Sequence, residues 1–174
     1  MSVKKAVLWG IFGVSLLLTP ALAQPAPLPE GLKTEPELTA PGQQTGMVSL
    51  KSAFSVPKTT DRLALAIEAK GMKVFSRIDH QAGAASVKLA LRPTTLLIFG
   101  SPVVGTQLMH QNQTMGLDLP LKFLIWQAAD DGVYISWNNP YYLAQRHGIP
   151  KNFALLSKMS QSLTELAKTA AGHP

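Results

Sequence analysis

The chain of 174 residues contains no cysteine. Disulfides, a thiol nucleophile, an iron–sulfur cluster and a lipid-modified cysteine are therefore excluded. Clustered positive charge is also missing: Lys51, Lys58, Lys70, Lys88 and Arg92 are scattered singly. A nucleic-acid surface needs a basic patch, so no nucleic-acid partner is expected. The formal charge of +6 includes Lys4 and Lys5. Without them, fourteen cations face ten acids, a net +4. The familiar catalytic motifs are absent too. Ser101 has no nucleophile-elbow surround, no H-E-x-x-H occurs, and no glycine-rich loop ends in Gly-Lys-Ser/Thr. Asp118 precedes Leu119-Pro120 and has no second acid at a readable spacing. No motif asks for a cofactor.

Long apolar runs are few. The main one, "AVLWGIFGVSLLLT", is about 14 residues, too short to span a bilayer comfortably. Lys4 and Lys5 precede it, Pro20 breaks it, and Ala21-Leu22-Ala23 supplies small residues before Gln24. This is the pattern of a secretory signal over 1–23. Cleavage would leave a periplasmic or secreted protein with no stable membrane insertion. Residues 24–46 then read "QPAPLPEGLKTEPELTAPGQQTG", where five prolines and three glycines deny regular structure. A flexible linker is expected there.

A single domain is expected over 47–170, large enough to bury a core without staples. "VSLKSAFSV" alternates apolar and polar residues as a half-buried strand does, and Pro57 is expected to end it. Thr59 or Thr60 is placed to cap a helix through "DRLALAIEAK", with Gly71 as its stop. "MKVFSRI" reads as a second strand, followed by a short alanine-rich helix over Gln81–Leu89. "TTLLIFG" is a third strand, and "SPVVGTQLMH" a short helix with Ser101 as cap and Pro102 first. "LKFLIWQA" and "VYISWN" are two more strands joined through Asp131-Gly132, a hairpin signal. Pro140 opens a helix that ends near Gly148. From Asn152 to about Thr169 a helix puts Leu155, Met159, Leu163 and Leu166 on one stripe, expected to be buried. The hairpin makes the last two strands antiparallel. The whole is an α+β fold, an antiparallel sheet with helices on one face.

Polar residues gather at the expected strand ends. Asp79 suits an N-cap, its carboxylate accepting N–H bonds from the first turn. His80 beside it is either a hydrogen-bonded neighbour of that cap or the rim of a site, the candidate acid or base. Arg146 and His147 close the helix from Pro140, where cations are stabilising, yet Arg146 is also the best anion fork in the chain. Gly100 and Ser101 sit at a strand-to-helix turn with free N–H groups. If two strand ends met at one edge, His80 and Arg146 would converge, with Lys122 a second cation for an anionic substrate. Met109, His110 and Met115 offer thioethers and an imidazole within seven residues, a weak copper pattern.

In order and spacing, "RIDHQAGA", "LRPTTLLIFGSPVVGTQLM", "GLDLPLKFLIW" and "NNPYYLAQRHGI" resemble the domain of unknown function 302 family from about Val48 to Leu166. The family's I-D-H-x-x-x-A pattern falls on Ile78, Asp79, His80 and Ala84. Its F-G-N-P-x-x-G-T-x-L-M falls on Phe99, Gly100, Ser101, Pro102, Gly105, Thr106, Leu108 and Met109. D-L-P-L falls on Asp118 to Leu121, and the closing pattern on Pro140, Tyr142, Leu143, Arg146 and His147. Ser101 stands for a usual Asn, Trp137 for a usual Tyr, and His110 for Gln or Glu. The resemblance implies a fold similar to the TATA-binding-protein type, strand–helix–four strands–helix, and a homodimer. It implies no activity. The expected function is a non-catalytic module taking a small ligand or protein partner at one edge of the sheet. The alternative is an enzyme with His80 as acid or base and Arg146 holding an anion.

Overall fold

A computed structural model describes residues 46–173. The expected signal and linker fall almost wholly outside these residues. The elements in chain order are β1 (Met47–Ser52), α1 (Val56–Ala69), β2 (Lys73–Asp79), α2 (His80–Ser86), β3 (Thr94–Gly100) and α3 (Pro102–Gln111). A 3-10 turn (Gln113–Leu117) follows, then β4 (Leu121–Gln127), β5 (Val133–Asn138), α4 (Pro140–Arg146) and α5 (Ala154–Ala171). The five strands form one antiparallel sheet in the order β1-β5-β4-β3-β2. This is the α+β architecture expected from the strand and helix pattern.

Alternation along the strands decides the two faces. Leu97, Phe99, Phe123, Ile125, Ile135 and Trp137 point to one side and are buried with Leu63 and Ile67 of α1 and Leu163 and Leu166 of α5. The opposite face carries the row Ile78–Leu96–Leu124–Ser136–Ser49, each residue facing the next across a ladder. A second apolar cluster lies beyond one end of the sheet, where Leu108, Met115, Leu143, Ala144, Ile149, Leu156 and Met159 join α3, the 3-10 turn, α4 and α5.

Three local expectations are corrected. Pro57 does not end the first strand; it lies in the first turn of α1, where a missing N–H costs nothing, and Ser55 is the cap residue. Thr59 and Thr60 are buried within that helix instead. The Thr59 hydroxyl meets Ser52 Oγ at 2.7 Å, and Thr60 Oγ1 donates to the Val56 carbonyl. On α5 the fully buried leucine of the first turn is Leu156, while Leu155 is half-buried; Met159, Leu163 and Leu166 are buried as expected. The hairpin stands, with the positive φ of 62° at Asp131 rather than at Gly132.

Candidate functional site

The register sorts the candidate residues between two ends of the sheet. Asp79 faces Thr95 at the start of β3, while Gly100 at its end faces Lys73. Leu121 pairs with Phe99, so the start of β4 joins the Gly100 end, and the antiparallel β5 brings Asn138 and α4 there too. Arg146 and His147 therefore share an end with Gly100 and Ser101. His80 lies at the other, the length of a seven-residue strand away, about 20 Å. The convergence of His80 with Arg146 is not realised, because a seven-residue strand separates the two ends.

At the first end, Asp79 caps α2 as expected: its Oδ1 accepts from Ala82 N at 2.9 Å. His80 follows as the first residue of α2, exposed to solvent. It lines neither of the two cavities described below.

The other end is more elaborate. Asn112 Oδ1 accepts from Thr114 N at 3.0 Å and lies 2.9 Å from the Thr114 hydroxyl, turning the chain out of α3. Asn112 Nδ2 donates to the His147 carbonyl at 2.8 Å. The His147 ring is 6 % exposed, with Nε2 at 2.6 Å from Asp118 Oδ2 and Nδ1 at 2.9 Å from Thr114 Oγ1. An ionised carboxylate only accepts, so Nε2 carries the proton toward Asp118. Arg146 Nη1 reaches Asp118 Oδ1 at 3.4 Å. These five side chains clasp the end of α4 to the chain between α3 and β4. Both ring nitrogens of His147 are engaged, which makes it a fastener and leaves none for the ligand role expected of it. Lys122 Nζ donates to the carbonyls of Asp118 and Pro120, each at 3.0 Å, so it braces this loop instead of waiting for an anion.

Beside the clasp is a cavity of about 300 Å³. Its walls include Phe75 from β2, Gly100 at the end of β3, Gly105 and Met109 from α3, Gly116 from the 3-10 turn, and Pro120 before β4. None of its lining residues is ionisable. Ser101 lines it too, and its side chain makes no capping hydrogen bond. The sequence pointed to Gly100 and Ser101 but missed the remaining walls and the roles of Asn112, Thr114 and Asp118. Met115, offered as a copper ligand, is fully buried in the second cluster, while His110 is exposed on α3. A thioether sealed in that core serves packing. Among the described residues, no group of three or more His, Asp or Glu is placed to hold a metal ion.

A second, larger depression of about 410 Å³ runs between α4 and α5, with Tyr141, Ser160, Gln161 and Glu165 in its walls. It is an open polar groove whose groups bind one another. Lys70 and Gln161 both hydrogen-bond Glu165, and these bonds with the Lys70 charge hold its carboxyl below the ordinary carboxylate value.

The family model for "Domain of unknown function DUF302" matches residues 48–169. Among curated proteins, the chain is 42% identical over 130 residues to "Fluoride-specific ion channel FluC 1" of Brucella suis biovar 1 (strain 1330), covering 74% of this chain and 51% of that protein. The protein of the same name from Brucella abortus biovar 1 (strain 9-941) matches at 42%, covering 74% of this chain and 48% of that protein. The chain thus spans about half the length of the curated relatives it matches. Among solved structures, "uncharacterized conserved protein DUF302 from Bacillus stearothermophilus" superposes with a TM-score of 0.66 at 16% identity, covering 72% of this chain and 98% of that one. That likeness concerns the fold.

Proposed function

The chain belongs to the DUF302 family, and from that premise we propose that it is a non-catalytic binding module whose ligand site is the cavity between β2, α3 and the start of β4. The observation that supports this reading most is the cavity wall itself. It is mainly apolar, it lacks any ionisable side chain, and Ser101 and Thr106 are among its lining residues. Ligand sites are concave and mainly apolar, with a few polar groups for orientation. An acid–base reaction would need a titratable group in reach of the bound molecule. Of the titratable groups next to the lining residues in sequence, Asp118 is bonded to His147, Lys122 is bonded to backbone carbonyls, and His110 is exposed on α3 and does not line the cavity.

A thermal-shift screen of small uncharged compounds against the mature protein tests the reading. A ligand that binds only the folded state adds about 2.7 kcal/mol at a hundred times its dissociation constant. Met109→Trp fills the cavity and is expected to abolish the shift. A screen with no stabilising compound, or a shift that survives Met109→Trp, would remove the cavity as the site.

The same proposal includes a homodimer, with a second copy seated on the face of the sheet that α1 and α5 leave open. Ile78, Leu96 and Leu124 form an apolar row there, and Trp126 lies 5.4 Å from Tyr134 in ring-centroid distance beside it. An isologous contact sets such a patch against itself. Leu124→Glu is expected to halve the mass seen by sedimentation equilibrium; a wild-type monomer at high micromolar concentration would sink this part of the reading. Conduction of fluoride, the activity in the names of the Brucella relatives, is not part of the proposal. No helix among the described residues is long and apolar enough to cross a membrane.

A further inference from the structure

Gly105 lies inside α3, a ten-residue helix, with no positive φ. Alanine is the more stable choice at such a position. A Cβ there would meet nothing nearer than Leu119 Cδ1 at 3.7 Å, an ordinary contact. Neither backbone conformation nor crowding by neighbouring atoms therefore calls for glycine. The methyl group would enter the cavity, since Gly105 and Leu119 both line it.

Two further glycines line the cavity. A Cβ at Gly100 would stand 3.6 Å from Phe75 Cε2 and 3.7 Å from Pro120 Cβ, and one at Gly116 would press on Met109 Sδ at 3.3 Å. Three bare stretches of backbone thus face the cavity, beside a phenyl ring and a thioether. Peptide planes without a Cβ let a flat molecule lie close, and a sulfur favours the edge of an aromatic ring. The volume, about 300 Å³, is at the small end for ligand pockets and suits one ring with a short substituent. The Ser101 hydroxyl, free of any capping bond, is available to one polar group.

We infer that the cavity takes an uncharged single-ring aromatic molecule bearing one hydroxyl, a phenol, and that Gly105 is the residue that sets its size limit. This rests on the reading of the cavity as the ligand site.

The test compares p-cresol with 4-methylcyclohexanol, which has similar size and the same hydroxyl but no π-face, by calorimetric titration of the mature protein. Gly105→Ala and Gly105→Ser are titrated alongside, with thermal melts to confirm folding. The expected result is binding of p-cresol at least tenfold tighter than its saturated counterpart. Gly105→Ala should weaken it tenfold or more while raising the melting temperature by a few degrees. Gly105→Ser should weaken it as much. Equal binding of the two compounds, or an absence of p-cresol binding while other compounds of the screen stabilise the protein, overturns the phenol assignment and leaves the cavity as the site. Unchanged p-cresol affinity in both Gly105 variants overturns the role of Gly105. Failure of every compound in the screen overturns the underlying reading instead.

Discussion

Phe123→Ala is expected to cost about 3–5 kcal/mol of folding stability, the range for removing a large buried aromatic side chain. Phe123 is fully buried on β4, on the side of the sheet that α1 and α5 cover. Its ring is stacked on Phe99, with centroids 5.0 Å apart and planes 3° from parallel. The edge of Trp137 meets it at 5.5 Å and 71°. Truncation removes both ring pairs together with the buried surface, and two neighbouring strands cannot close in without breaking their ladders. Urea unfolding followed by far-ultraviolet circular dichroism measures this. The midpoint should fall with the slope unchanged. A loss below about 1 kcal/mol would mean that the three rings are not the centre of the main core.

His147→Ala is expected to cost about 1–3 kcal/mol, the range for leaving a buried polar group without its hydrogen-bond partner. Asp118 keeps 14% of its side-chain surface exposed, so water takes up part of the loss. The deletion leaves the carboxylate without its 2.6 Å partner and Thr114 without its ring contact. A double-mutant cycle with Asp118→Ala isolates the pair. If the clasp acts as a unit, the double variant should be little worse than His147→Ala alone. Full additivity of the two losses would show that the clasp is not a unit. The clasp also holds the loop that supplies the Gly116 and Pro120 walls, so His147→Ala should weaken ligand binding as well.

Much of the architecture was legible because it rests on short-range pattern. The alternation in "LKFLIWQ" and "VYISWN" and the turn chemistry of Asp131-Gly132 place β4 and β5 without tertiary knowledge. The start of α1 was misread because Pro57 is compatible with both a strand end and a first helical turn. Only the pairing of Ser52 with Val133 and the burial of Thr59 decide between them. Leu155 and Leu156 are adjacent, and a stripe of period 3.6 does not choose which of them faces inward. The candidate site was half legible. Gly100 and Ser101 carry a strand-to-helix signature that local reasoning detects. The bond between His147 and Asp118 joins positions 29 apart through two different elements. Nothing in the residues around Asp118 announces a histidine partner. The separation of His80 from Arg146 likewise needed the register of the full sheet.

The place of β1 has a consequence for the order in which the domain can form. Among the described residues it is the first strand and pairs only with β5, so that Ser49 touches Ser136 across 87 residues of sequence. The first helix is bound in the same way, since Arg62 donates to the carbonyls of Thr169 and Ala170 at the end of α5. A chain that ends at β4 therefore leaves β1 without a partner strand and α1 without α5. β1 and the outer side of α1 cannot take their native places until β5 and α5 are available to them. Docking of these two elements rests on contacts far apart in sequence, the kind that slows folding.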